Sequence, residues 1–336
     1  METSGPGKPR KRRWSWRQYS LSTLLLVVTI VGVGLGVVTH RAERQRRAVA
    51  AIRELHGRVW YDFEGGTPSH GPSPDWLYRV LGVDYVADVV HVRALDMTDA
   101  GLTHLARLTN LQRLELGGLG GTQVTDAGLA HLQGLTSLRS LELHRTEVTD
   151  AGLAHLAGLT SLQFLALGDA QITDAGIAHL SGLTSLQWLY LDRGQVTDAG
   201  VAHFGRLTNL KGLRLSRTQV SDAGLAHLGG LTSLQRLHLA GTRVTDAGLV
   251  RLAGLSNLQE LYLNGTRVTD AGLAHLTALT SLESLRLNKT PVTDAGLAHL
   301  AGLTRLQKLL LQDTRVSNDG CNRLRQALPN CRVSHY

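Results

Sequence analysis

Apolar positions recur along most of this chain with a fixed period. Val124, Val148, Ile172, Val196, Val220, Val244, Val268, Val292 and Val316 stand 24 residues apart, and an earlier copy begins at Met97, 27 residues before Val124. Nine copies continue as Thr-Asp-Ala-Gly-Leu-Ala-His-Leu or differ from it at one or two positions. Each also carries Leu-x-x-Leu-x-Leu, as in Leu138, Leu141 and Leu143 or Leu186, Leu189 and Leu191. The last two leucines of that motif are two apart, so both face one side of a short strand. Leu153 and Leu156, three apart, place the other half of the copy on a helix. One copy cannot bury its own leucines, whereas stacked copies make a continuous core. The pattern predicts an α/β solenoid with a parallel sheet on one side and short helices on the other. It predicts nine strands from Leu111 to Leu311, and Val90 with Val92 as a tenth. The stretch Gly117 to Gly121 reads as a loop insertion in the first copy.

Two small residues inside the copy say more. Thr149-Asp150 and its equivalents suit a helix start, where hydroxyl and carboxylate oxygens satisfy free N–H groups and a negative charge is favoured. Gly152 would cost a helix about 1 kcal/mol relative to Ala. A Gly holds that place in all ten copies, which predicts close packing there.

The first 60 residues have a different pattern. Residues 18–39 contain no Asp, Glu, Lys or Arg, and Leu21 to Val38 is almost wholly apolar. About 20 helical residues span the hydrocarbon layer of a bilayer, so this segment reads as a transmembrane helix. A cleaved signal peptide is the nearer rival, but its apolar run is usually about 7–15 residues long. No small-x-small cleavage pattern follows Val38. The net charge of +8 changes its meaning beside this segment. Residues 1–58 hold 12 Lys/Arg against Glu2, Glu43 and Glu54, and the remaining 278 residues carry 23 Lys/Arg against 24 Asp/Glu. The basic excess therefore flanks the span rather than covering the folded part, which argues against nucleic-acid binding. Six Lys/Arg precede the span and six follow it. The positive-inside rule is thus tied, and proximity of the first set leans the repeats to the extracytoplasmic side. Trp14, Trp16 and Tyr19 fit an interfacial belt. Gly32 and Gly36 have the spacing that lets two span helices pair, the expected contact of a weak homodimer.

Candidate chemistry is sparse. His104, His131, His155, His179, His203, His227, His275 and His299 form a ladder. Helices on adjacent coils sit about 8–10 Å apart, too far for one metal ion with ligands at about 2 Å. The helix-start aspartates lack the converging oxygens that calcium needs. No Gly-x-Ser-x-Gly elbow or phosphate-binding loop is present. The expectation is no catalytic residue, no cofactor and no metal. Cys321 and Cys331 leave the redox compartment open. The positions alternating with the core leucines are richer. Strands about 4.8 Å apart bring Phe164, Trp188 and Tyr190 together, with Arg214, Arg236, His238 and Tyr262 alongside. Aromatics and Arg dominate binding hot spots, so these seven residues are the predicted site.

Over roughly residues 90–335 these motifs resemble the leucine-rich-repeat family. The Asp-Ala-Gly-Leu helix looks most like its ribonuclease-inhibitor-like and bacterial GALA subclasses. The layout, with Trp16-Arg17-Gln18-Tyr19-Ser20-Leu21 and Arg47-Ala48-Val49, is similar to planctomycete single-span membrane repeat proteins. Thr146, Thr218, Thr242, Thr266, Thr290 and Thr314 stand where the family usually has Asn, and their hydroxyls can still bond the turn. The resemblance implies a horseshoe whose strand-lined concave face binds a protein or peptide without catalysis. The alternative is a structural cell-envelope spacer or self-associating scaffold. The expected organisation is a basic tail (1–17), a transmembrane helix (18–39), a basic juxtamembrane linker or helix (40–58), an N-terminal cap (59–89), leucine-rich repeats (90–316) and a C-terminal cap (317–336). The repeat domain is expected to be separable at about residue 59.

Overall fold

The computed structural model describes residues 21–62, 82–117 and 122–335. The basic tail with Trp14, Trp16 and Tyr19, most of the expected cap 59–89, and the centre of the Gly117–Gly121 insertion lie outside the described residues.

The strands are β1 (Arg58–Tyr61), β2 (Val89–Ala94), β3 (Arg113–Leu116), β4 (Ser140–Leu143), β5 (Phe164–Ala166), β6 (Trp188–Tyr190), β7 (Gly212–Arg214), β8 (Arg236–His238), β9 (Glu260–Tyr262), β10 (Ser284–Arg286), β11 (Lys308–Leu310) and β12 (Arg332–Ser334). They form one sheet in chain order. From β2 onward each strand pairs in parallel with the next, while β1 lies antiparallel to β2. The repeat motif thus sets one strand per coil. In β2 the register differs from the sequence expectation. Val92 aligns with Leu114 and Ala94 with Leu116, so the inward pair is Val92 and Ala94, and Val90 precedes it. Beyond the repeats, helix Asn318–Ala327 and β12 complete one further coil, with Cys321, Leu324, Leu328 and Val333 closing the core.

The core is a stack of leucines with almost no accessible surface; Leu186, Leu189, Leu191 and Leu207 of one coil meet Leu210, Leu213 and Leu215 of the next. Each such burial is worth about 1.5–3 kcal/mol. Within the coils most buried threonine hydroxyls are also paired, Thr122 Oγ1 excepted. The threonine hydroxyls at 146, 218, 242, 266, 290 and 314 donate to the carbonyl three residues back, at 2.6–3.2 Å.

The helix starts divide their work in a way that the sequence reading missed. In most coils Thr caps its own helix, as where Thr125 Oγ1 accepts from Ala127 N, though Thr149 does not. Asp does not. The Asp126 carboxylate accepts from Thr149 N at 2.8 Å and from Thr149 Oγ1 at 2.6 Å, one coil further on. The same bridge recurs from Asp99 to Asp294. This explains the invariant glycine. A Cβ at Gly128 or at its eight later counterparts would stand 2.1–2.5 Å from the carboxylate oxygen of the preceding coil. At Gly101, with no preceding coil, it would instead meet Met97 and Leu55.

Leu55 follows α1 (Leu21–Glu54), a single helix of 34 residues. Its first half is exposed all round. Eleven of the thirteen exposed large apolar side chains among the described residues fall between Leu24 and Val38; the others are Leu95 and Val250. Its second half is amphipathic, burying Ala42, Gln45, Ala48, Val49 and Ile52. Gln45 is held at both ends of its amide, donating to Ala87 O at 2.7 Å and accepting from Val89 N at 3.2 Å. The helix is long and apolar enough to cross a membrane, a test that a signal sequence also passes. The boundary expected at residue 59 falls inside a packed unit. Residues 48–55 lie on Met97, Leu102 and the first strand, so the cover of the first coil begins well before residue 59.

Candidate protein-binding face

Parallel register sets two outward columns along the sheet. One runs Phe164, Trp188, Gly212, Arg236, Glu260; the other runs Ala166, Tyr190, Arg214, His238, Tyr262, Arg286. Gly212 decides the shape of the patch. A Cβ there would stand 2.1 Å from Trp188 Cε3, so the bare backbone of β7 is what lets the indole lie across it. Trp188 is consequently half-buried rather than facing open solvent.

Around it the predicted residues form two groups. Phe164 and Tyr190 meet edge to face at 5.1 Å, and the Arg214 guanidinium lies 4.8 Å from the Tyr190 ring centre. Arg236 lies 5.2 Å from the Trp188 ring. Further along, His238 stacks on Tyr262 at 3.9 Å, and Arg286 covers Tyr262 at 3.8 Å. Such cation–π contacts contribute about 0.5–2 kcal/mol each and hold the rings in place. Two carboxylates orient the cations. Asp192 holds Arg214 at 2.6 Å, and Glu260 holds Arg236 at 3.3 Å while accepting from Tyr262. All seven predicted residues thus join one continuous surface.

Sequence reasoning missed Asp192, Glu260, Arg286 and Gly212 as participants. Gly212, Glu260 and Arg286 stand in the same two columns, within one coil of an aromatic, whereas Asp192 lies two residues beyond Tyr190, past the end of β6. Burial, and then the Arg214 charge, push the His238 imidazole down to about 4, so it is neutral at pH 7. Burial raises the Tyr190 hydroxyl above its usual range. Arg214 Nε, Ser284 Oγ and Arg286 Nε are buried polar atoms with no hydrogen-bond partner, and His238 Nε2 has Glu260 at 3.7 Å. Such atoms are uncommon in folded chains, and three of them line this stretch of one face.

Other places are less suited to binding. At the N-terminal end of the face Glu115 holds His91, Arg93 and Arg113, and Arg113 also reaches Glu142, so charge there is internally matched. A polar cleft of about 380 Å³ includes Asp62, Asp88, Asn110 and Arg139. Asp88 is already engaged by Arg41 and Asn110. The ladder histidines are exposed or half-buried along the helices. Among the described residues, no group of three or more His, Cys, Asp or Glu side chains could hold a metal ion. Cys321 and Cys331 are buried free thiols. Burial raises both, Cys331 to about 11, which leaves them unreactive. Gly32 and Gly36 have nothing near their Cα hydrogens within the chain.

Coils of one strand and one short helix, stacked in register around leucines, define an α/β solenoid. Family models described as leucine-rich repeats match residues 158–181, 184–244 and 232–278, so the coils of this stretch are leucine-rich repeats. Similar solved structures include the internalin inlF of Listeria monocytogenes, at 20% identity and TM-score 0.49, covering 77% of this chain and 92% of that one. The internalin C2 of the same organism shares 23% identity at TM-score 0.42, covering 76% and 83%. The plant peptide hormone receptor RGFR1, solved in complex with RGF2, shares 16% identity at TM-score 0.45, covering 69% and 41%. No curated protein matches the chain.

Proposed function

We propose that this chain is a membrane-anchored, non-catalytic binding protein that takes a protein or peptide on its strand-lined face, between Phe164 and Arg286. The observation that carries the reading is the aromatic–guanidinium surface built around Trp188 on Gly212. Its rings are fixed before binding, so little side-chain entropy is lost on contact. Its unpartnered buried donors would be satisfied by a ligand's main chain or carboxylates. The exposed apolar half of α1 supplies the anchor, with the repeats on the extracytoplasmic side.

The test is to crosslink the full chain in its native cells, identify the captured partner, and measure affinity calorimetrically. Truncating a hot spot costs at least about 2 kcal/mol, roughly a thirtyfold loss. Trp188→Ala and Arg286→Ala should each weaken binding on that scale, while His179→Ala, on the helical side, should not. Because Trp188 is half-buried, its truncation also lowers stability, so Arg286→Ala, at the rim of the patch, is the cleaner probe. If both face variants bound normally and a helical-side change abolished binding, the proposal would be wrong.

A further inference from the structure

The junction between α1 and the first coil carries a site that the binding face does not explain. His40, Arg44 and Arg47 follow each other at helical spacings of four and three, so they share one face of α1. Arg107, in the turn after the first-coil helix Asp99–Leu105, meets that face from the solenoid side. With Glu43 these side chains enclose a cleft of about 280 Å³. Glu43 sits 3.8 Å from Arg47. Arg44 and Arg107 have no carboxylate partner among the described residues.

The position of the cleft along α1 gives it meaning. The exposed apolar run ends at Val38. At about 1.5 Å per residue, Arg44 and Arg47 lie about 9 and 14 Å beyond that end. The interfacial layer is about 5–8 Å deep on each side of the hydrocarbon. Arginine stems reach back along a helix to place their heads in that layer. The helix does not break between span and cap, and Gln45, Val49 and Ile52 on its neighbouring face are buried against the solenoid. Arg107 is therefore held at the same level as the juxtamembrane arginines.

We propose that this cleft binds the phosphate headgroup of an anionic phospholipid. Guanidinium groups match phosphate oxygens in pairs. Three arginines against one glutamate leave the cleft net positive. A lipid held there would tie the first coil to the bilayer surface and fix the orientation of the whole solenoid. The proposal rests on the membrane-anchored reading.

The experiment uses the full chain in nanodiscs of mixed phosphatidylglycerol and phosphatidylcholine, with retained lipid counted by native mass spectrometry. The wild type should retain phosphatidylglycerol in preference by about tenfold or more. Arg44→Ala with Arg107→Ala should bring that preference near unity. Arg46→Ala with Arg53→Ala removes an equal charge from α1 outside the cleft and should leave the preference intact. Circular dichroism melts confirm that the variants are folded. Equal losses in this control and in the cleft variant would mean a diffuse basic flank and overturn the site. Displacement of the lipid by millimolar inorganic phosphate would mean a free-anion site and overturn it too. A chain washed out of membranes by carbonate would instead defeat the anchor itself, whereas a retained chain without lipid preference defeats only the cleft.

Discussion

Each Asp at a helix start holds its neighbour coil by two hydrogen bonds, one to a backbone N–H and one to a hydroxyl, and each following glycine clears the space for it. In Asp174 the partners are Thr197 N at 2.8 Å and Thr197 Oγ1 at 2.5 Å. Removing the carboxylate leaves a part-buried donor unpaired, at about 1–3 kcal/mol. Gly200→Ala forces a methyl against the same carboxylate, also at about 1–3 kcal/mol. Both changes act on one contact, so Asp174→Ala with Gly200→Ala should destabilise less than the sum of the two. Chemical denaturation of the four chains checks this, and strict additivity would show that the pair does not interact. A second residue-scale effect concerns acid. The folded His238 titrates near 4, chiefly because burial opposes its charge, against about 6.5 in an unfolded chain. The unfolded state then takes up the proton first. Stability from this group is full above about pH 6.5 and declines as the pH falls toward 4. NMR should place the His238 midpoint near 4, and His238→Gln should flatten that part of the stability curve. For Asp294 the Ser317 hydroxyl and backbone N–H lower the carboxyl below its usual range. Its contribution is present above about pH 4 and is lost as pH falls through the lowered value.

At the scale of elements, a core leucine and the capping helix make the sharpest predictions. Leu213 is wholly buried between coils, so Leu213→Ala should lower stability by about 2–5 kcal/mol, read from denaturant midpoints. Removing residues 1–39 should leave a folded, cooperative domain. Removing 1–58 strips Ala48, Val49 and Ile52 from the first coil and should give early melting and aggregation. Equal melting of the two truncations would deny the cap. These elements were unequally legible. Strand spacing, the inward leucines and the outward columns follow from periods of 24 and two, because each coil repeats the same local choices. The cap was not legible, because Ala42, Gln45, Ala48, Val49 and Ile52 make a short apolar stripe masked by the arginines between them. The Asp–Thr bridge was hidden for another reason. It joins residues 23 apart, or 26 at the first coil, whose types also satisfy ordinary helix capping, so local chemistry explained them without the neighbouring coil. Trp188 was placed correctly on the outward column, but its half-burial depends on Gly212, a coil away.

For the whole molecule, the continuity of α1 links the exposed apolar segment, the cap and the first coil. A solenoid transmits order only between neighbouring coils, so the stability of the first coil depends on the helix that leaves it. That helix runs without a break from Glu54 back to Leu21. With the apolar half of α1 in a bilayer, as proposed, packing rather than a flexible linker would set the angle and height of the Trp188 face. The same continuity does not separate an anchor from a cleaved signal. Cleavage after Val38 would leave the cap intact, because the buried positions begin at Ala42. The stability of the repeats therefore cannot distinguish the two, and the mass of the chain can. Purified from native membranes, the protein should contain residues 1–39 and should remain in the pellet after alkaline carbonate. Eleven exposed large apolar side chains between Leu24 and Val38, at about 1.5 kcal/mol or more each on burial in lipid, make spontaneous release negligible. A mature chain beginning beyond Val38 and recovered in the soluble fraction would show that the apolar segment is a signal, and would leave the concave face as a soluble receptor surface.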